Sequence, residues 1–104
     1  MSPLWLASGS PRRRQLLEWA GYVVEVHPSD VDESWIDGEH PADAAERLAR
    51  SKCFGPDDRI VVAADTVVHL DAVPFGKPED DADAHRMLAA LQGRWHQVTT
   101  GIAV

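Results

Sequence analysis

The sequence predicts an α/β fold, a mixed sheet flanked by helices, and three observations lead there. Strand-like and helix-like segments alternate along the 104 residues, the order that packs helices onto a sheet. Ile60-Val61-Val62-Ala63-Ala64 is a continuous apolar run of the kind that fills a strand buried on both faces. The helical segments also carry start signals, among them Ser10-Pro11 and the acidic Glu79-Asp80-Asp81, which suit the orphan N–H groups and positive end of a helix.

Leu4-Trp5-Leu6-Ala7 reads as the first strand. Ser10 caps the next helix and Pro11 takes its first position; the helix runs through Leu16, Leu17 and Ala20 to a stop at Gly21. Tyr22 to Val26 is a second strand, and His27 to Glu39 a polar loop holding Asp30, Asp32 and Glu33. A second helix runs from Pro41 to Cys53 with Ala45, Leu48 and Ala49 as its apolar stripe, leaving Lys52 at the edge of the buried face. After the turn Gly55-Pro56-Asp57-Asp58 comes the apolar run from Ile60, interrupted by Asp65-Thr66 and resumed by Val67-Val68-His69-Leu70. Asp71 to Phe75 reads as a reversal into Gly76-Lys77-Pro78. Ala82 to Leu91 is a third helix with Ala84, Met87, Leu88 and Leu91 on one face. Gln97 to Val104 is β-prone and becomes apolar, so the chain is expected to end within a strand.

Chemistry concentrates at a few of these positions. Arg12, Arg13 and Arg14 occupy a first helical turn, where the helix already carries about half a positive charge. Three cations there cost stability unless an anion joins them. With Ser8-Gly9-Ser10 and open N–H groups after a strand, the segment suits a phosphate chain; the alternative is a solvated arginine cluster. Asp65 stands between two β-branched runs, where a carboxylate is costly to desolvate without a partner. It is read as functional, against the plainer role of capping a strand end. Lys77 is a cation on a stiff turn, and Lys52 either reaches a phosphate or simply complements a helix C-terminus. Glu33, with Asp30 and Asp32, either holds magnesium against substrate phosphates or forms a solvated loop.

Several classes are excluded or disfavoured. A net charge of −7 opposes general affinity for nucleic acid or anionic membrane, so neither is an expected partner. The lone Cys53 rules out an internal disulfide and multi-cysteine metal knots, and is expected to be reduced and helix-packed. Signal-peptide and membrane-spanning patterns are absent, which makes the cytoplasm the expected location. The five histidines lack zinc-ligand spacing, and no P-loop, dinucleotide fingerprint or Gly-x-Ser-x-Gly elbow occurs.

Together the motifs resemble the Maf family of nucleoside triphosphate pyrophosphatases. Leu6-Ala7-Ser8-Gly9-Ser10-Pro11-Arg12-Arg13, Asp32-Glu33, Arg47-Leu48-Ala49-Arg50-Ser51-Lys52, Ala64-Asp65-Thr66-Val67-Val68, Gly76-Lys77-Pro78 and His96-Gln97-Val98-Thr99-Thr100-Gly101 follow that family's order over essentially the whole chain. The resemblance implies the N-terminal lobe of a fold like that of inosine triphosphate pyrophosphatases, with residues 1–104 as the N-terminal part of the domain. It implies hydrolysis of a nucleoside triphosphate between the α- and β-phosphates with a divalent cation, Mg or Mn. Carried over by position, Asp65 would be the general base. Ser8, Arg12, Arg13, Lys52 and Lys77 would bind phosphates, and Glu33 with Asp65 would serve metal or water. Arg12 and Thr66 resemble the branch acting on dTTP and UTP, whereas the branch acting on 7-methyl-GTP tends to carry tryptophan and glutamine there.

Three departures from the family pattern accompany the resemblance. The family is almost twice as long, with a base-selecting glutamine in a second lobe; the link from Lys52 to Ile60 is short; and Ala63 stands where glycine is frequent. The alternatives to turnover are therefore a nucleotide-binding module or an inactive fragment, and a homodimer is a possible assembly.

Overall fold

The computed structural model describes residues 2–76 and 78–104. In chain order the elements are β1 (Leu4–Leu6), α1 (Pro11–Trp19), β2 (Val24–Val26), α2 (Pro41–Lys52), β3 (Val61–Leu70), β4 (Val73–Phe75), α3 (Asp81–Leu91) and β5 (Gln97–Ala103). The expected mixed α/β architecture is present. β1 lies between β2 and β3 and runs parallel to both, while β4 and β5 run antiparallel to β3. No helix among the described residues is long and apolar enough to cross a membrane.

The core forms where α2 meets β3 and β5. Pro41 opens α2, the His40 ring accepts from the amide of Ala42 at 3.1 Å, and the charges follow the helix dipole, with Asp43 in the first turn and Arg50 and Lys52 in the last. Its buried side is Ala44, Ala45, Leu48 and Ala49, packed on β3 and β5, where alternation turns the buried Ala63 and Val67 to the same face. The small residues permit close approach: a Cβ on Gly101 would lie 2.5 Å from the carbonyl oxygen of Ala45. Full burial of Leu6, Leu48 and Val67 contributes about 1.5–3 kcal/mol each.

Two expectations about strands are corrected. Asp65 and Thr66 do not interrupt β3, which is one ten-residue strand paired with β5 from Ala63 to His69. A mid-strand carboxylate is tolerated because Lys52 pairs with it. The reversal after Leu70 is a tight hairpin into β4, turned at Asp71 with φ of 51°, a left-handed conformation that aspartate adopts more readily than most residues.

The helix expectations hold for position and differ for packing. In α1, Ser10 Oγ accepts from the amide of Arg13 at 3.4 Å, and in α3 Asp80 accepts from that of Asp83 at 2.7 Å. Neither helix buries a residue: Leu16 is 55% exposed and Leu88 66%. α2 thus covers one face of the sheet. The other face carries a groove of about 750 Å³, whose apolar walls include Leu6, Leu16, Ile60, Val62 and Ile102. Ile60 is accordingly 61% exposed, not buried on both faces as its apolar run suggested.

Candidate active site

The site begins with a gap along one edge of β3. Alternate residues of a strand direct their backbone groups to the same edge. Val62 O accepts from the amide of Ala7 at 2.9 Å, where β1 ends, and β4 takes up pairing only at Val68. Ala64 O, two residues beyond Val62, therefore faces the stretch between the two neighbours. A side chain fills it. Arg13 Nη1 donates to Ala64 O at 3.2 Å and to Ser8 Oγ at 3.0 Å, and Nη2 donates to Thr66 Oγ1 at 3.0 Å.

Ser10 and Pro11 set the phase of α1 so that Arg13 points back over the end of β1. Ser8 is 7% exposed and also accepts from the amide of Ser10 at 3.3 Å. A guanidinium has five N–H donors; the three contacts leave two for an anion. The other arginines separate from this network. Arg14 pairs with Glu18 at 3.1 Å, and Arg12 is exposed and lines the groove beside Arg13 and Thr66. The expected triple cluster is thus divided: Arg12 and Arg13 border one cleft, and Arg14 is tied along its own helix.

A second group of charges lies on the opposite face of β3, because successive strand residues alternate. Asp65 turns toward α2, where Lys52 Nζ donates to its Oδ1 at 2.9 Å; the same ammonium meets Glu33 Oε1 at 2.5 Å. Lys52 and Asp65 side chains are each 13% exposed, whereas Glu33 is 59% exposed. Burial works against the Lys52 charge, but hydrogen bonds to Glu33 and Asp65 outweigh it and hold its pKa above the ordinary 10.5.

The loop is held so that Glu33 reaches this lysine. Ser29 Oγ donates to Lys52 O at 2.7 Å, Asp32 accepts from the amide of Ser34 at 2.9 Å, and Arg47 bridges Glu39 and Ser34 O. Asp30 and Asp32 do not join Glu33 on Lys52, so the acidic loop contributes one carboxylate. Among the described residues no group of three or more His, Cys, Asp or Glu side chains is placed to hold a metal. Glu33 and Asp65 are the two carboxylates brought together here, both meeting the Lys52 ammonium; two oxygen donors are fewer than a hard cation takes, so a cation there would need further oxygen ligands. Lys77 lies outside the described residues.

Sequence reasoning missed two polar contacts across the β3–β5 ladder. Thr100 Oγ1 lies 2.8 Å from Thr66 Oγ1, across the β3–β5 register. His69 is buried, with Nδ1 2.9 Å from Asp71 O and Nε2 2.8 Å from Thr99 Oγ1; since the carbonyl only accepts, Nδ1 carries the proton and Thr99 donates. Both follow from strand register, which alternation alone leaves undetermined.

The chain is similar over its whole length to one family of proteins. A family model described as Maf-like protein matches residues 3–104. The dTTP/UTP pyrophosphatase of Anaeromyxobacter dehalogenans strain 2CP-C is 49% identical over 105 residues, covering 100% of this chain and 54% of the relative. That of Chromobacterium violaceum is 47% identical, covering 97% and 56%, and that of Vibrio cholerae 45% identical, covering 100% and 58%. The chain spans about half the length of the curated relatives it matches.

Proposed function

The chain belongs to the Maf family, and from that membership we propose that it acts in hydrolysis of nucleoside triphosphates, dTTP and UTP first among them, to nucleoside monophosphate and pyrophosphate. The observation that carries this reading is the attachment of both charged groups to one backbone unit. Arg13 grips Ala64 O and Thr66, while Lys52 grips Asp65 between them. Cations for a phosphate chain and a carboxylate for water are thereby fixed to the same three residues.

Arg12, Arg13 and Ser8 bind phosphate oxygens, with the arginine fork able to engage two at once. Lys52 holds Asp65 by Oδ1, leaving Oδ2 to accept the proton of the attacking water. Water adds its oxygen to the α-phosphorus, the bond to the β-phosphate bridging oxygen breaks, and pyrophosphate leaves. Glu33 and Asp65 would hold a divalent cation, Mg or Mn, which supplies charge neutralisation on the phosphates when bound. Arg12 and Thr66 face the groove and bear on base selectivity. The cytoplasm is the proposed setting.

The test is pyrophosphate release from dTTP, UTP, CTP, ATP and GTP with Mg or Mn, beside calorimetric titration of the same nucleotides. Release that is greatest with dTTP and UTP supports the reading. Binding without release would favour a nucleotide-binding module, a second reading motivated by the chain's match to only half of each relative. Neither binding nor release from any nucleotide would reject both.

A further inference from the structure

We propose that Thr100 is a positioning residue for Arg13, acting through the hydroxyl of Thr66. The inference rests on the phosphate-binding role assigned to Arg13 above, but its structural part is testable without turnover.

Arg13 Nη2 can only donate, so Thr66 Oγ1 accepts it at 3.0 Å. A threonine hydroxyl rotates freely unless something fixes its proton. Thr100 Oγ1, 2.8 Å away, does so in either polarity: it receives the Thr66 proton, or it donates to the second lone pair of Thr66. Either arrangement keeps a Thr66 lone pair directed at the guanidinium. Chain geometry makes the pair rigid. Thr66 and Thr100 are direct partners in the β3–β5 ladder, and both are β-branched with restricted χ1. One position along, Gly101 lies against the backbone of α2 so closely that any side chain would collide with Ala45. β5 is thus seated on α2 beside Thr100, and the hydroxyl is presented from a fixed backbone.

Arg13 otherwise hangs on Ser8 and on Ala64 O, both reached by Nη1. Two bonds to one nitrogen leave the guanidinium plane free to tilt about that end. The bond from Nη2 to Thr66 removes this freedom, and Thr100 stabilises the acceptor. Thr66 and Thr100 also line the groove together with Arg12 and Arg13, so the restraint acts where an anion would meet the two arginines.

The experiment compares the wild-type chain with Thr100→Val, which keeps the branched shape, and Thr100→Ser, which keeps the hydroxyl. In ¹⁵N-arginine-labelled protein without ligand, Arg13 Nε–H is assigned by its loss in Arg13→Lys. Its solvent exchange should quicken in Thr100→Val by about two- to tenfold, the range set by one neutral hydrogen bond, and return to the wild-type rate in Thr100→Ser. Affinity for dTTP should fall by a similar factor in the valine variant alone. A folded Thr100→Val protein, with its melting transition retained, whose Arg13 exchange is unchanged would overturn the proposal. If Thr100→Val does not fold, Thr100→Ala replaces it: quickened Arg13 exchange there, restored in Thr100→Ser, carries the support, and exchange unchanged from wild type overturns the proposal. Quickened Arg13 exchange in a chain that binds no nucleotide would uphold Thr100 as a positioning residue and reject the phosphate-binding role instead.

Discussion

Arg13 supplies to Ala64 the hydrogen bond that a neighbouring strand would otherwise provide: its Nη1 lies 3.2 Å from Ala64 O, in the stretch of β3 between the end of β1 and the start of β4. The residue that would bind phosphate therefore also completes the sheet edge. From sequence, three cations at a helix N-terminus predict a cost in the unliganded protein. The geometry reverses that for Arg13, whose charge is engaged with a carbonyl and two hydroxyls.

Arg13→Ala should accordingly lose on two counts. Nucleotide affinity is expected to fall by about 1.5–3 kcal/mol, the value of a charge-assisted bond. The ligand-free melting temperature should fall too, by several degrees, because Ala64 O loses its partner. Arg12→Ala, removing an exposed side chain, should weaken affinity with little change in melting. Calorimetry and thermal melts of both variants check this, and an Arg13→Ala protein more stable than wild type contradicts it.

Asp65→Asn should separate chemistry from binding. Asparagine keeps the shape but cannot take a proton from water, so turnover is expected to drop roughly 10²–10⁴-fold. The Lys52 contact can persist on the amide oxygen, so dTTP affinity should change much less. Near-normal turnover in this variant would remove Asp65 from the role of base.

How much of this was legible in the sequence depends on whether the deciding contact is local. Ser10-Pro11 and Pro41 placed the starts of α1 and α2 because caps and N1 prolines act within one turn. The apolar surroundings of Asp65 mark it out in the sequence, yet β3 runs through it unbroken, because its partner Lys52 lies 13 residues away in the chain. The apolar faces of α1 and α3 were readable as periodicity, but periodicity does not say whether a neighbour covers them. Thr100 was invisible as a site residue, because its meeting with Thr66 depends on a register spanning 34 residues.

Lys52→Met tests the buried charge pair. Removing the ammonium leaves Asp65 enclosed and unpaired, a loss on the order of 3 kcal/mol for a pair this shielded. The sign of the pH dependence follows from the raised pKa of Lys52. A folded-state value above the unfolded one gives stabilisation that is complete below the unfolded pKa and lost as pH rises through the folded one. The gap in melting temperature between wild type and Lys52→Met should therefore hold steady from about pH 6 to about pH 9, and narrow only as pH rises through and beyond the ordinary lysine value of 10.5. A gap that closes near neutrality would show that Lys52 is not held as described.

Gly101→Ala tests whether the close seating of α2 on β5 organises both halves of the site. The added Cβ would meet Ala45 O at 2.5 Å and the amide nitrogen of Glu46 at 2.7 Å, and these are backbone atoms that cannot rotate aside. Relief requires α2 to move off the strand, at a cost of about 1–3 kcal/mol. The comparison is Gly55→Ala, whose Cβ would meet the side chains of Trp5 and Val61 at 2.9 Å, groups with some freedom to shift. Gly101→Ala should be the more destabilising of the two in thermal melts. Because Lys52 ends α2 and Asp65 is the ladder partner of Gly101, moving the helix also lengthens the Lys52–Asp65 contact. Turnover should then fall in Gly101→Ala even below its melting range, while Gly55→Ala, whose added Cβ meets the Trp5 and Val61 side chains instead of the α2 backbone, keeps wild-type turnover at the same temperature. Equal activity in the two variants would mean that the helix seating is structural alone.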